Sequence, residues 1–453
     1  MGKMGPLKSN SSHKQPKDSQ GREGKKSDRK NPATSHPRCK VQDQQRHQPD
    51  STSVEDHNQI DVSDAIPITL QQLLLNVFRT ALLFLSTSSS SQDRNQNPDA
   101  EEKEEKEEEP LDIKSLIQTI KSHLYNRDFD SAFADADEKL LRAYALRWSA
   151  ARALGYAGLF KSLLKILVED DFALRPAHVV CIGGGAGAEI VALAAAWRNL
   201  IDDGVISGAE KELTDALEAV DLNDRKDYYG GETTNNTPSQ EQIFQKSESS
   251  PGLSITAVDI ADWSTVVKRL SSTILSPKVT GSKSHRAPLF PIHPSEDRAL
   301  SHHFHVDFKR LDVLTLSDSD LASLFHSAQT NMVTLMFTLN ELFSTSMSKA
   351  TSFLLRTTDL LAGGTILLVV DSPGSYSTLK LNKSTGEQQE RRYPMKFLLD
   401  HTLLSVAREK WEKLYSQDSR WWRRDVSRLW YDAGEGVGLE DMRFQIHVYR
   451  RLE

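Results

Sequence analysis

Residues Val179-Val180-Cys181-Ile182-Gly183-Gly184-Gly185-Ala186-Gly187-Ala188-Glu189 set an apolar run, a glycine cluster and an alanine-rich stretch end to end. That order commits the chain to a strand, a sharp turn and a helix. Glycine lets the backbone turn tightly and leaves no Cβ between the main chain and a ligand. The N–H groups of the turn and of the helix start then face a site at the carboxyl end of the strand. A nucleotide-like cofactor is the ligand expected there.

Three classes of protein use such turns: dinucleotide enzymes with GxGxxG, flavoproteins with GGGxxG, and S-adenosylmethionine methyltransferases with GxGxG. Gly183, Gly185 and Gly187 give GxGxG directly, whereas a dinucleotide reading puts Ala188 at the third glycine, a tolerated variant. Ser254-Ile255-Thr256-Ala257-Val258-Asp259-Ile260 reads as a second buried strand ending in an acid, and such an acid accepts hydrogen bonds from ribose hydroxyls. Every one of these classes uses that acid, and the polar insertion at 202–250 removes any help from its spacing. The fourth segment discriminates. Val333-Thr334-Leu335-Met336-Phe337-Thr338-Leu339-Asn340-Glu341 is an apolar strand ending in a polar pair, where a methyltransferase places groups beside the donor methyl and the substrate. A flavoprotein has no such need.

Polar tracts take up so much of the 453 residues that one α/β core is expected rather than several domains. Residues 1–60 are rich in Lys, Ser, Gln and Pro and read as a disordered basic arm, because they cannot repay the entropy of folding. An amphipathic helix is expected over 61–85, a Ser-rich and acidic linker over 86–110, and a helical cap over 111–175. The main domain then runs from 176 to 453 with polar insertions at 202–250 and 276–300. Strands and helices alternate through that domain, which means a mostly parallel sheet with helices on both faces. Phe444 to Arg450 alternates as a final strand should, and Pro394 opens a helix expected to reach about residue 414.

With only Cys39 and Cys181, neither a disulfide framework nor a zinc site is expected, and a reducing compartment fits. The longest apolar stretch, Leu73 to Leu85, is interrupted by Asn76 and Arg79 and is too short to span a membrane. No secretory leader is read at the start, so the protein is expected to be soluble and not secreted. His302, His303 and His305 do not make a metal site, since His302 and His303 point to opposite faces of a strand and no acids stand nearby at ligand spacing.

Several segments resemble the fungal 25S ribosomal RNA uridine-N3 methyltransferases, over roughly residues 111–453. They are Tyr144-Ala145-Leu146-Arg147-Trp148-Ser149 with Arg152 and Tyr156, the glycine turn to Glu189, Phe337 to Phe343, Tyr393-Pro394-Met395-Lys396-Phe397-Leu398-Leu399-Asp400-His401, and Asp441 to Arg451. The resemblance implies a class I (Rossmann-like) methyltransferase fold, S-adenosylmethionine as cofactor, and methylation of uridine N3 in large-subunit ribosomal RNA. The implied partner is that RNA or a pre-ribosome, in the nucleus or nucleolus and in the cytoplasm as a further location. The other readings are a methyltransferase of a small molecule or protein, and a non-catalytic assembly factor on the same fold.

Gly183, Gly185, Gly187, Glu189, Asp259 and Asp312 are the expected cofactor residues. Asp312 resembles the acid that bonds the adenine amine, with Asp307 second to it and an ordinary loop or N-cap aspartate as the plain alternative. Cys181 stands where an acid often precedes the glycines, which leaves Glu189 or another group to meet the methionine amino group. Asn340 and Glu341 are expected to be catalytic, with Glu341 taking the uridine N3 proton, unless the pair caps the following helix. Arg147, Trp148, Arg152, Trp421, Trp422 and Arg423 are expected to meet RNA by stacking and charge, the last three from a loop. Arg147 and Arg152 do not share one helical face, so one of them is expected to face the core.

Overall fold

The computed structural model describes residues 58–83, 111–126, 128–169, 177–206, 252–291, 303–325, 330–382 and 388–453. Nearly all of the basic arm, the linker 86–110, most of the insertion at 202–250 and residues 292–302 lie outside the described residues.

The strands are β1 (Ala177–Ile182), β2 (Gly252–Asp259), β3 (His303–Arg310), β4 (Thr330–Met336), β5 (Ile366–Asp371), β6 (Tyr376–Asn382), β7 (Gln388–Pro394), β8 (Trp411–Trp422) and β9 (Met442–Arg451). Seven of them form one sheet in the order β3-β2-β1-β4-β5-β9-β8, while β6 and β7 pair as a separate hairpin. β1 to β5 run parallel, and β9 is antiparallel to both β5 and β8. This is the class I methyltransferase architecture, with the final antiparallel strand inserted beside β5.

Every residue of β1, β4 and β5 is buried, as parallel strands covered on both faces require. Within β1, Val179 and Cys181 enter one core while Val180 and Ile182 enter the other, following the two-residue period of a strand. The first core is covered by α1 (Ile68–Leu83), α4 (Ala150–Glu169), α5 (Ala188–Asp202) and α6 (Ser264–Ile274). The second is covered by α7 (Asp318–Leu324), α9 (Met347–Leu360) and α10 (Met395–Asp400).

Helix α1 buries Leu70, Leu73, Leu74, Val77 and Phe78 and packs on α4, α5 and α6, so it belongs to the first core. α2 (Ile113–Tyr125) and α3 (Glu138–Tyr144) are started by Asp112 and Asp137, whose carboxylates accept from Ser115 N and Leu140 N. α3 passes into α4 through a single π-helical turn, Ala145–Ser149. The described part of the insertion at 276–300 is less polar in effect than in composition. It buries Leu289 and Phe290 and ties to α1 through a 2.6 Å hydrogen bond between Thr69 Oγ1 and His285 Nδ1.

Three elements differ from expectation. A short helix, α8 (Leu339–Thr345), begins within the segment read as the fourth strand, and it is parted from α9 at Ser346, whose hydroxyl caps α9. The helix after Pro394 ends at Val406 through a π-helical stretch, and the chain returns as β8. The hairpin β6–β7 falls between β5 and α10 where no strands were expected.

Candidate active site

The glycine turn joins β1 to α5. Gly183 and Gly187 take φ of +77° and +82°, the left-handed region where a side chain is strained. Gly183 N donates to Val258 O at 2.7 Å, which pins the turn to the end of β2. A Cβ at Gly185 would collide with the Trp263 ring and crowd the Cβ of Asp259, and one at Gly183 would collide with Thr338. The turn therefore lies closed between the carboxyl ends of β2 and β4. Among the described residues no side chain caps α5 at Gly187, so N–H groups of its first turn face the ligand site, although that of Glu189 meets its own carboxylate.

Four carboxyl groups gather at this edge. Asp259 ends β2 and accepts from Gly185 N and Ala261 N, each at 3.2 Å; burial raises its pKa against those two bonds. Glu189, in the first turn of α5, is only 3% exposed, and its Oε1 has no partner among the described residues. Burial pushes its carboxyl up to about 8, with Asp259 adding to the rise and Arg152 opposing it. Asp371 ends β5 and accepts from Asn340 N at 3.0 Å and Ser372 N at 2.7 Å, yet burial still raises its pKa. Glu341 stands at the rim, exposed to solvent on one side. Loss of water on the protein side, with Asp371 next to it, pushes its carboxyl up to about 7 against the pull of Arg152.

Arg152 is the cation among these acids. Burial disfavours its charge, but Tyr144, Tyr156 and Glu189 outweigh that and raise its pKa. Its Nη1 donates to the Tyr144 hydroxyl at 2.9 Å, and its guanidinium lies 5.2 Å from the Phe337 ring centre. Phe337 has a φ of +60°, a conformation a bulky side chain avoids. Strain of this kind costs about 1–3 kcal/mol and persists where the surroundings over-determine it. Here the bond from Phe337 N to Val370 O at 2.6 Å holds it, and the chain is thereby turned from β4 into α8. The Tyr144 ring packs at a tilt against Trp148 and Trp263, with centroids 4.8 and 5.8 Å away, making an aromatic wall on the cap side.

The family model of the putative SAM-dependent methyltransferases matches residues 97–450. The chain belongs to this methyltransferase family. A relative from Saccharomyces cerevisiae, named 25S rRNA (uridine(2843)-N(3))-methyltransferase, is 31% identical over 341 residues, covering 74% of this chain and 76% of its own. Among solved structures, an O-methyltransferase family protein from Burkholderia thailandensis is 11% identical, covers 75% of this chain and 70% of its own, and has a TM-score of 0.31. The magnesium protoporphyrin IX methyltransferase of Synechocystis, solved with bound SAM, is 9% identical, covers 75% of this chain and 98% of its own, and has a TM-score of 0.29.

The cofactor of this methyltransferase family is S-adenosylmethionine, and the edge described above fits it. The buried Glu189 Oε1 and Asn340 Oδ1, without partners among the described residues, are acceptors suited to a ligand with ammonium and hydroxyl donors. A sheet edge with four acids around one arginine also suits a ligand bearing a sulfonium and an ammonium charge.

Of the expected residues, the methyltransferase fold brings together the three glycines, Glu189, Asp259, Asn340, Glu341 and Arg152. Asn340 and Glu341 sit in the first turn of α8 rather than at the end of β4, which stops at Met336. Asp312 lies just past β3, whose following Leu311 N bonds Asp259 O at 2.8 Å. Its carboxylate accepts from Leu314 N at 2.9 Å and from the Thr315 hydroxyl at 3.1 Å, as an ordinary turn aspartate does. Asp307 faces solvent on β3.

Arg147 turns away from the site. It is buried, pairs with the Glu440 carboxylate and donates to Gly438 O at 3.4 Å, so it anchors the C-terminal loop. Trp421 and Trp422 end β8, which corrects the expected loop, and Arg423 follows them with a 2.7 Å ion pair to Asp441. Sequence reasoning missed Asp371 and Trp263. Asp371 directly follows the apolar run Thr365 to Val370, so the rule that applied to Asp259, an acid closing a buried parallel strand, was available for it. No group of three or more His, Cys, Asp or Glu among the described residues is arranged to hold a metal ion.

Proposed function

We propose that this protein transfers a methyl group to N3 of a uridine in large-subunit ribosomal RNA. The observation that carries the reading is the placing of Glu341 and Asn340 beside Asp371 and Arg152, at the same sheet edge as the glycine turn. The target is taken from the yeast relative's printed name. Ribosomal RNA or a pre-ribosome is then the partner, and the nucleus or nucleolus the place of work.

Bound S-adenosylmethionine would supply an electrophilic methyl carbon. The glycine turn, the free N–H groups of α5, Asp259 for the ribose hydroxyls and Glu189 for the amino group would hold it, with Asp312 near the adenine. Uridine N3 carries a proton, and its lone pair becomes a nucleophile only once that proton leaves. Glu341, raised toward neutrality, takes the proton from N3 without being so basic that it is always protonated at pH 7. The Asn340 side-chain amide nitrogen can donate to a uracil carbonyl oxygen, and the backbone bond from Asn340 N to Asp371 fixes its place. Arg152, held by Tyr144 and Phe337, balances the negative charge formed as the proton moves.

The test is mass spectrometry of nucleosides from large-subunit ribosomal RNA of a strain lacking this protein, rescued with wild type or Gly185→Arg. The expected result is loss of 3-methyluridine, restored by wild type alone. An unchanged nucleoside profile sinks the proposal.

A further inference from the structure

A second concave surface lies outside the methyl-transfer site. It is a groove of ≈ 480 Å³ between the segment 63–68, α4 and the end of β8. Two glycines of α4 make room for it. A Cβ at Gly158 would collide with Asp64 O, and one at Gly155 would collide with Met442, with the Trp422 ring in contact beside it. Trp422 therefore forms an inner wall, while Trp421 stands 50% exposed at the mouth.

The chemistry of this mouth is cationic and aromatic. Residues 420–430, Arg-Trp-Trp-Arg-Arg-Asp-Val-Ser-Arg-Leu-Trp, carry four arginines against one aspartate, Asp425, which pairs with Arg428 at 2.5 Å. Arg423 and Arg424 both turn to Asp441, at 2.7 and 3.9 Å, so one acid answers two cations. The Arg423 guanidinium lies 4.0 Å from the Trp421 ring centre and that of Arg443 lies at 5.8 Å. Trp430, 59% exposed, has the Arg79 guanidinium at 5.4 Å.

Strand register fixes where the groove lies relative to the chemistry. Gln445 on β9 is level with Asp371 on β5, and Arg443 is level with Trp421 on β8. Trp421 is thus two residues further out and two strands across on the same edge, roughly 12 Å from Asp371 at ordinary strand spacings. That distance is within the span of two or three nucleotides flanking a uridine beside Glu341.

We infer that the groove seats unpaired RNA adjoining the target uridine, with a flanking base stacked on Trp421 and the backbone phosphates met by Arg423 and Arg428. An exposed indole framed by guanidiniums presents the two features single-stranded nucleic acid uses, a stacking face and fixed positive charge. The inference rests on the proposed function for the identity of the strand.

The experiment measures affinity of the full chain for a fluorescein-labelled, uridine-containing single strand of ribosomal sequence, by anisotropy at several salt concentrations. The variants are Trp421→Ala, the pair Arg423→Glu with Arg428→Glu, and the charge control Lys349→Glu on α9. S-adenosylmethionine affinity, by calorimetry, shows that each is folded. The expected result is about 10-fold weaker RNA binding for Trp421→Ala, a larger loss with a shallower salt dependence for the arginine pair, and wild-type behaviour for Lys349→Glu. Equal affinity of wild type and groove variants, or no affinity in wild type, overturns the inference. Mass analysis of the strand after incubation separates the two claims. Methylated product from wild type with unaffected groove variants leaves the function standing and the groove refuted; groove-dependent binding without 3-methyluridine does the reverse.

Discussion

Glu189 connects the burial of one carboxyl to a measurable proton count. In the free protein its carboxyl is pushed up to about 8, chiefly by burial, so at pH 7 about nine copies in ten are protonated. A cation bound against it favours the ionised form and drives that proton off. Binding of S-adenosylmethionine at pH 7 should therefore release about 0.9 proton from this group, read as the slope of calorimetric binding enthalpy against buffer ionisation enthalpy in phosphate and Tris. Glu189→Gln keeps the shape and removes the titration, so its slope should fall by the same amount. The same shift has a signature without ligand. Since the folded pKa lies above the ordinary 4.5, the contribution of Glu189 to stability is full below about 4.5 and is lost as pH rises through about 8. At about 1.4 kcal/mol per unit the loss approaches 5 kcal/mol at pH 9, and Glu189→Gln should recover most of it there and little at pH 5. A wild-type slope of zero, or an unchanged slope in Glu189→Gln, refutes the reasoning that places the cation against this acid.

Glu341→Gln should slow methyl transfer about 10²- to 10⁴-fold. In wild type the single-turnover rate should rise with pH through an inflection above 4.5 and no higher than about 7, because solvent on the exposed side of Glu341 screens part of the shift. Gly185→Ala should abolish calorimetrically detectable cofactor binding, since its methyl group needs the space of the Trp263 ring and the Asp259 stem. Arg147→Met should lower unfolding stability by about 1–3 kcal/mol while leaving the transfer rate of the folded protein within a few-fold. Arg152→Met should lower stability as well, because it leaves buried carboxyl groups without their cation, and should also lose rate in the folded protein by more than an order of magnitude; equal kinetic losses in both variants would contradict the division between them.

Local pattern was enough where neighbours in sequence are neighbours in space. The run from Val179 to Glu189 carries its own turn chemistry, and Asp259 closes a strand whose apolar length is plain, so both were legible. Glu341 was legible as chemistry but not as geometry, because only the left-handed Phe337, invisible to periodicity, shows that α8 starts before it. β8 hides from pattern reading for a different cause. Its register shifts between Lys413 and Tyr415 and again between Gln417 and Arg420, so the two-residue alternation is broken and Trp-Glu-Lys-Leu-Tyr-Ser-Gln-Asp scans as helix or loop. Which of Arg147 and Arg152 faces the core was not legible, because the partner of Arg147, Glu440, lies 293 residues away. No local rule distinguishes an arginine awaiting RNA from one awaiting a distant loop.

The π-helical turn at Ala145–Ser149 works as a phase corrector. In an unbroken α-helix, positions eight apart point about 80° away from each other around the axis. Tyr144 and Arg152 are eight apart, yet hydroxyl and guanidinium meet at 2.9 Å, because the wider turn between them unwinds that angle. The aim of Arg152 into the acid cluster is therefore written in a residue count rather than in any one side chain. A chain that dropped a single residue from this turn would keep every functional group and still swing its central cation out of place.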